Sequence, residues 1–117
     1  MIYLIDDEID VASTLAELIE TGLGYTVTTF SSLDQCIEKL ESFKDQPDAS
    51  LIICDILMPT GSGLRLKDYI QKRNLNIPIF FISGHADKIS DDDIILLRKP
   101  VQKERLFEQI KISLADR

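Results

Sequence analysis

The residues best suited to chemistry in this sequence are three aspartates and a lysine, each at or just beyond the end of a short apolar stretch: Asp6, Asp7, Asp55 and Lys99. Three carboxylates that meet in one pocket raise each other's pKa and resist ionisation unless a cation neutralises them. With the charge of Lys99 counted, a divalent cation brings the sum of these charges to zero. The residue types therefore predict a divalent metal site, provided that the fold brings the four side chains together.

Mg²⁺ suits such a cluster because it prefers hard oxygen ligands in octahedral geometry, usually a few carboxylates completed by water or phosphate oxygens. A Mg²⁺ ion and a lysine are also the pair of positive charges that stabilises a phosphoryl group during transfer. A carboxylate beside them can act as the nucleophile and form an aspartyl phosphate. The cluster thus predicts phosphoryl transfer to a carboxylate.

Two apolar patterns alternate along the chain and define the elements that must position these residues. Short apolar or β-branched runs predict strands over Met1–Ile5, Tyr25–Phe30, Leu51–Cys54, residues 79–82 and Ile94–Leu97. Helical spacing predicts helices from Ile9 to Gly22, from Leu33 to Phe43, over Leu64–Arg73 and from about Val101 onward. Wholly apolar strands that alternate with helices are typical of parallel βα units. The sequence therefore predicts an α/β fold, a doubly wound five-stranded parallel sheet of order 2-1-3-4-5.

In such a sheet, ligands bind at the carboxyl ends of the strands, where the strand order reverses. Asp6 and Asp7 follow the first strand, and Asp55 follows the third. Ser83 and Lys99 follow the fourth and the fifth. We therefore expect these side chains to converge at one edge of the sheet.

Composition narrows the class of protein. The 117 residues suit one domain over residues 1–117, and a hydrophobic fraction of 44% is that of a globular protein. The net charge of −7 disfavours direct nucleic-acid binding, and no apolar run approaches the length of a membrane span. Cys36 and Cys54 lie among apolar residues, which favours a reducing cytoplasm over a disulfide framework. We expect one acidic, soluble, cytoplasmic domain with no nucleic-acid or membrane partner.

Together, these residues resemble the receiver domain of two-component response regulators. The resemblance rests on the matching motifs Asp6-Asp7-Glu8, Asp55-x-x-Met58-Pro59 with Gly61 and Gly63, Ser83-Gly84 and Lys99-Pro100. It implies a flavodoxin-like fold and a phosphorylation-dependent switch in a phosphorelay, not an enzyme. The expected partners are a sensor histidine kinase or phosphotransfer protein, a downstream protein target or attached output domain, and a second copy in a homodimer.

The resemblance also implies a role for each site residue. Asp55 accepts the phosphoryl group. Asp7, Asp55 and the backbone carbonyl of Leu57 ligate Mg²⁺, while Asp6 acts through water. Ser83 and Lys99 contact phosphoryl oxygens, and the peptide bond between Lys99 and Pro100 is cis, which costs about 0.5–1 kcal/mol.

Other interpretations of the same residues stay open. Asp6 and Asp7 are good caps for the first helix, and Lys99 could simply pair with nearby acids. Ser83-Gly84 is common turn chemistry. At the level of function, the alternatives are a phosphorylation-independent adaptor with the receiver fold and a small Mg²⁺-dependent phosphohydrolase.

The sequence departs from the receiver pattern in three places. Residues 84–93 lack an apolar stripe, so we expect the fourth helix to be missing or strongly shortened. Leu96 stands where the family usually has Tyr or Phe, which puts the usual readout of phosphorylation in doubt. Leu57 and His85 take the positions that flank the approach of water, and an apolar Leu57 predicts slow self-dephosphorylation.

Overall fold

A parallel sheet forms the centre of the molecule in the computed structural model, which describes residues 1–59, 61–84 and 94–115. Its strands are β1 (Ile2–Ile5), β2 (Val27–Phe30), β3 (Leu51–Asp55), β6 (Ile79–Ser83) and β7 (Leu96–Arg98). Their order is β2-β1-β3-β6-β7, and all the paired strands run parallel. This confirms the predicted α/β class and the predicted order 2-1-3-4-5.

Helices cover both faces of the sheet. They are α1 (Ile9–Leu23), α2 (Leu33–Glu41), α3 (Leu64–Lys72) and α4 (Lys103–Ala115). Successive strand residues point to opposite faces, so the sheet supplies two separate apolar cores. The core under α2 and α3 contains Tyr3 and Phe81, and the core under α1 and α4 contains Leu4 and Phe80. Apart from their last residues, Asp55 in β3 and Ser83 in β6, the strands β1, β3 and β6 are apolar because both faces are covered.

Local sequence signals explain several element ends. The Ser32 hydroxyl accepts a hydrogen bond from the backbone N–H of Gln35 at 3.2 Å, so Ser32 caps α2. Helix α1 ends at Gly24, whose φ of 78° lies in the left-handed region and whose N–H donates to the carbonyl of Glu20. The peptide bond between Lys99 and Pro100 is cis, as the family resemblance implied.

The largest differences from the predicted boundaries are of two residues, at four element ends. Strand β2 begins at Val27 instead of Tyr25, β7 begins at Leu96 instead of Ile94, α2 ends at Glu41 instead of Phe43, and α4 begins at Lys103 instead of Val101. In both strands, apolar, aromatic or β-branched residues precede the first ladder pair, so the pattern alone does not mark where the pairing begins. The loop predicted after Asp55 contains an additional antiparallel hairpin, in which β4 (Leu57–Met58) pairs with β5 (Gly61–Ser62).

The predicted loss or shortening of the fourth helix concerns residues 84–93, of which 85–93 lie outside the described part of the chain, and His85 lies there too. Leu96 is described, and its partly buried side chain packs on the core under α2 and α3. In the described ranges, no helix has the length and apolar character needed to cross a bilayer.

Candidate functional site

The carboxyl ends of β1, β3, β6 and β7 meet at one edge of the sheet and enclose a small cavity. Asp55 pairs with Ile82 in the ladder between β3 and β6, and the backbone N–H of Lys99 donates to the carbonyl of Ser83 at 2.9 Å. Because the strand ends lie level, residues far apart in sequence reach the same space. The cavity is lined by Asp7, Glu8, Asp55, Leu57, Ser83, Gly84 and Lys99.

The Lys99 ammonium lies among three carboxylates. Its Nζ atom is 2.9 Å from Oδ2 of Asp55 and 3.1 Å from Oδ2 of Asp6. A third contact, of 3.3 Å, joins Nζ to Oε1 of Glu8. Only 17% of the Lys99 side chain is exposed, so these ion pairs are less screened by solvent than ordinary surface pairs. The interpretation of Lys99 as a partner for nearby acids is correct, and two of these acids, Asp6 and Asp55, belong to the predicted site.

Asp6, Asp7 and Asp55 form a compact group of potential ligands. One carboxylate oxygen from each lies within 4.8 Å of the other two. Two of these residues are also held by local backbone contacts. Asp6 Oδ1 accepts a hydrogen bond from the N–H of Glu8 at 2.9 Å, and Asp55 Oδ1 accepts one from the N–H of Leu57 at 3.2 Å. These contacts fix the orientation of both carboxylates, and the second oxygen of each faces the Lys99 ammonium.

The second oxygen of Asp6 tests whether the cluster fits a metal ion. Asp6 Oδ2 is fully buried, and the Lys99 ammonium lies 3.1 Å from it. Lys99 also contacts Asp55 and Glu8, so one ammonium serves three carboxylates, and a buried carboxylate is costly unless cations compensate it. The donor set consists of carboxylate oxygens, which Mg²⁺ prefers. The residues of this pocket therefore fit a hard divalent cation.

Burial and charge act against each other on the ionisable groups of this pocket. Burial raises the pKa of the Asp55 carboxyl above its ordinary value of 3.8, although the hydrogen bond from Lys99 acts in the opposite direction. Burial by itself would lower the pKa of the Lys99 ammonium, but its contacts with Asp55 and Asp6 raise that pKa above the ordinary range. Lys99 thus stays charged. A further cation beside Asp55 would lower the pKa of its carboxyl and favour the ionised form.

The size of the cavity limits what can bind. Its volume is about 160 Å³, well below the roughly 300–1,000 Å³ of ordinary small-molecule sites. Ser83 is buried, and it lines the cavity together with Leu57, which is 44% exposed at the mouth. A phosphoryl group with a cation suits this space better than an organic substrate. The roles of Ser83 and of the Leu57 carbonyl remain predictions.

Neither aspartate is the N-cap residue of α1, so the helix-capping alternative is wrong. The residue before α1 is Glu8, and its own side chain makes no capping hydrogen bond. Asp6 instead accepts the hydrogen bond from the Glu8 N–H, while its other oxygen faces Lys99. Asp6 therefore combines a turn contact with a place in the acidic cluster.

Sequence reasoning assigned no role to Glu8 or Gly63, although both belong to the matched motifs. Glu8 contacts Lys99, which lies 91 residues further along the chain, and the sequence signal for Glu8 was its position after Asp6 and Asp7. Gly63 lies against the backbone of Asp55, and a β-carbon built on it would lie 2.7 Å from the Asp55 carbonyl oxygen. An alanine there would therefore disturb the strand end that carries Asp55.

The fold and this acidic pocket match a known family. Residues 2–111 match the family profile described as the response regulator receiver domain. The chain belongs to this family, and the sequence-based identification is confirmed.

Known relatives and solved structures agree with this assignment. The response regulator protein TodT of Pseudomonas putida is 29% identical over 120 residues, which cover 97% of this chain and 51% of TodT. The response regulator protein TmoT of Ectopseudomonas mendocina is 31% identical, with 97% and 52% covered. The receiver domain of the hybrid histidine kinase CckA has a TM-score of 0.78 and 26% identity, with 97% of both chains covered. This chain spans about half the length of TodT and TmoT.

Proposed function

We propose that this chain, as one receiver domain over residues 1–117, is a phosphorylation-dependent signalling switch with Asp55 as the phosphoryl acceptor. The observation that carries the proposal is the Asp55 carboxylate in a small cavity, 2.9 Å from the Lys99 ammonium and grouped with Asp6 and Asp7. The pocket combines a nucleophile with a fixed cation and further carboxylates, which is the set that phosphoryl transfer needs.

The proposed reaction transfers a phosphoryl group from a phosphohistidine of a sensor kinase or phosphotransfer protein. An oxygen of Asp55 forms a bond to phosphorus as the bond from phosphorus to the imidazole nitrogen breaks. The bonding electrons leave with the imidazole, which can take a proton from solvent. Lys99 and Ser83 hold phosphoryl oxygens and stabilise the charge that develops on them.

Mg²⁺ is the proposed cofactor. Asp7, Asp55 and the carbonyl of Leu57 would hold it, with Asp6 acting through water. When bound, it supplies positive charge that allows an anionic phosphoryl group to approach the carboxylates. The raised pKa of Asp55 supports this arrangement, because a neighbouring cation lowers the pKa of the carboxyl and favours the ionised form that attacks phosphorus.

A second cavity supports the proposed protein donor. This groove of about 550 Å³ lies between α1 and the segment that precedes α4, and is lined by Glu8, Asp10, Val11, Thr14, Leu15, Lys99, Pro100 and Val101. It is mostly apolar and shares Glu8 and Lys99 with the acidic cavity. A partner seated there would place its phosphohistidine beside Asp55.

The broader context follows from the same proposal. Because the relatives TodT and TmoT are about twice as long, we propose that the signal passes to an attached output domain or a downstream protein target. The small cavity supports a stoichiometric switch over a phosphohydrolase, which would need room for an organic substrate. Cys36 and Cys54 are free and buried, which supports a cytoplasmic location.

Phosphorylation of the purified protein tests the proposal. Incubation with acetyl phosphate and Mg²⁺ should add the mass of a single phosphoryl group, and Asp55→Asn should abolish the gain. Asp45→Asn is the matched control, because Asp45 is exposed and makes the same change of charge. Equal phosphorylation of the wild type and Asp55→Asn would refute the assignment. Continuous release of phosphate from many phosphomonoesters would favour the phosphohydrolase. If a partner binds equally well when Asp55 is Asn, the adaptor function is supported instead.

A further inference from the structure

Glu8 differs from the other two carboxylates that surround Lys99. The side chains of Asp6 and Asp55 are 0% and 5% exposed, whereas that of Glu8 is 61% exposed. Asp6 and Asp55 are also fixed by backbone hydrogen bonds. Glu8 precedes the first turn of α1 without making a capping bond. Of the three, Glu8 is therefore the carboxylate that can change position without disturbing the fold.

When a divalent ion is bound, the carboxylate oxygens of Asp6 and Asp55 contact two cations, the ion and the Lys99 ammonium. Nζ of Lys99 lies 3.1 Å from Asp6 Oδ2 and 2.9 Å from Asp55 Oδ2, and both residues belong to the group that fits a divalent ion. Two cations that share the same oxygens repel each other strongly in a poorly solvated pocket. Metal binding therefore has a lower cost if the ammonium can move to another carboxylate within reach.

We propose that Glu8 is a positioning residue for Lys99: it takes the ammonium when a divalent cation binds the aspartates, so that both cations stay in the pocket. The proposal deepens the function proposed above and rests on it. Glu8 and Lys99 also line both the acidic cavity and the adjacent apolar groove. A Lys99 side chain drawn towards Glu8 therefore stays at the boundary where an incoming phosphoryl group would enter.

Measurement of the Mg²⁺ dissociation constant by isothermal titration calorimetry tests the proposal. Glu8→Gln should weaken Mg²⁺ binding by about two- to fivefold, the usual value of a partly exposed ion pair. Glu17→Gln, which makes the same change of charge at an exposed residue of α1, should leave the dissociation constant unchanged. An unchanged affinity in Glu8→Gln would overturn the proposal.

A double-mutant cycle separates action through Lys99 from a direct effect of charge. When Lys99 is replaced by Met, there is no ammonium for Glu8 to hold, so Glu8→Gln should weaken Mg²⁺ binding by a clearly smaller factor. An equal or larger factor in the Lys99→Met background would show that Glu8 acts directly on the cation, and would overturn the proposal.

A spectroscopic measurement keeps Lys99 intact and does not depend on the folding of Lys99→Met. Glu8→Gln should change the NMR chemical shift of the Lys99 εCH₂ group. The change should be larger in the presence of saturating Mg²⁺ than in its absence. An equal or weaker response with Mg²⁺ would contradict the proposal. If the wild-type protein binds no Mg²⁺, the metal site under the proposed function fails as well. Normal Mg²⁺ binding with no effect of Glu8→Gln defeats the Glu8 proposal alone.

Discussion

The ammonium of Lys99 lies 2.9 Å from Oδ2 of Asp55, although Asp55 ends β3, Lys99 directly follows β7, and these strands are not neighbours in the sheet. The strand β6 separates them, and its last residue, Ser83, lies on the same cavity. The side chains of both strand ends thus reach across β6 to form the ion pair. In this way, the end of β7 is joined electrostatically to the residue proposed to receive the phosphoryl group.

Asp55 should destabilise the metal-free protein at neutral pH. Because folding raises its pKa above 3.8, the folded protein binds this proton more tightly than the unfolded chain. The stabilisation that comes from the protonated carboxyl is therefore fully present below the ordinary pKa of 3.8. It is lost as the pH rises through the raised pKa of the folded protein. Asp55→Asn, which stays neutral, should be more stable than the wild type in EDTA at neutral pH. The difference should shrink as the pH falls towards about 4.

Urea unfolding across this pH range, followed by circular dichroism, measures the effect. Asp45→Asn is the control, because an exposed aspartate should give little difference at any pH. If the gain from Asp55→Asn is the same at acidic and neutral pH, burial of the carboxylate is not its cause.

Gly63→Ala should lower both stability and phosphorylation. A β-carbon there would lie 2.7 Å from the carbonyl oxygen of Asp55 and 3.1 Å from both Cys54 Sγ and the ring of Phe81. The backbone of a central strand cannot move away easily, so we expect a loss of about 1–3 kcal/mol of unfolding free energy. The Asp55 strand end should also shift, which would slow phosphorylation by acetyl phosphate.

Two other glycines serve as comparisons for the unfolding measurement. Among the described residues, no atom lies within 4 Å of a β-carbon built on Gly84, so Gly84→Ala should stay within about 0.5 kcal/mol of the wild type. A β-carbon on Gly22 would meet the ring of Phe107 at 2.4 Å, but the end of a side chain can move where a strand backbone cannot. Gly63→Ala should therefore cost the most, and a larger loss for Gly22→Ala would contradict this ranking.

The strand order and the convergence of the candidate residues were predictable because they depend on signals that are local in sequence. The runs around Ile53 and Phe81 are apolar because both sheet faces are covered, and a polar residue directly after such a run marks a strand end. The β4–β5 hairpin was missed because strands of two residues are too short for any hydrophobic period. The contact between Glu8 and Lys99 depends on how the loops after β1 and β7 approach each other, which no local pattern specifies.

Mg²⁺ should stabilise the folded protein, and Asp7 should be needed for this effect. A ligand that binds only the folded state adds about 2.7 kcal/mol when its concentration is a hundred times its dissociation constant. Asp7 is proposed as a direct ligand and groups with Asp6 and Asp55, so Asp7→Asn should lose most of the gain. Thermal unfolding with Mg²⁺ and with EDTA gives the measurement. Asp45→Asn should keep the full stabilisation, and equal stabilisation of Asp7→Asn would exclude Asp7 as a ligand.

A polar residue in place of Leu57 should shorten the lifetime of the phosphorylated protein. Leu57 is 44% exposed at the mouth of the cavity, two residues beyond Asp55, and its side chain has no group that can orient water. In Leu57→Asn, an amide at this place can hold an attacking water by a hydrogen bond of about 1 kcal/mol, which corresponds to about fivefold faster hydrolysis. The half-life of the phosphoprotein after removal of acetyl phosphate measures the effect. Leu57→Met keeps the apolar character and should match the wild type, whereas equal half-lives of the Asn and Met variants would show that this position does not limit the access of water.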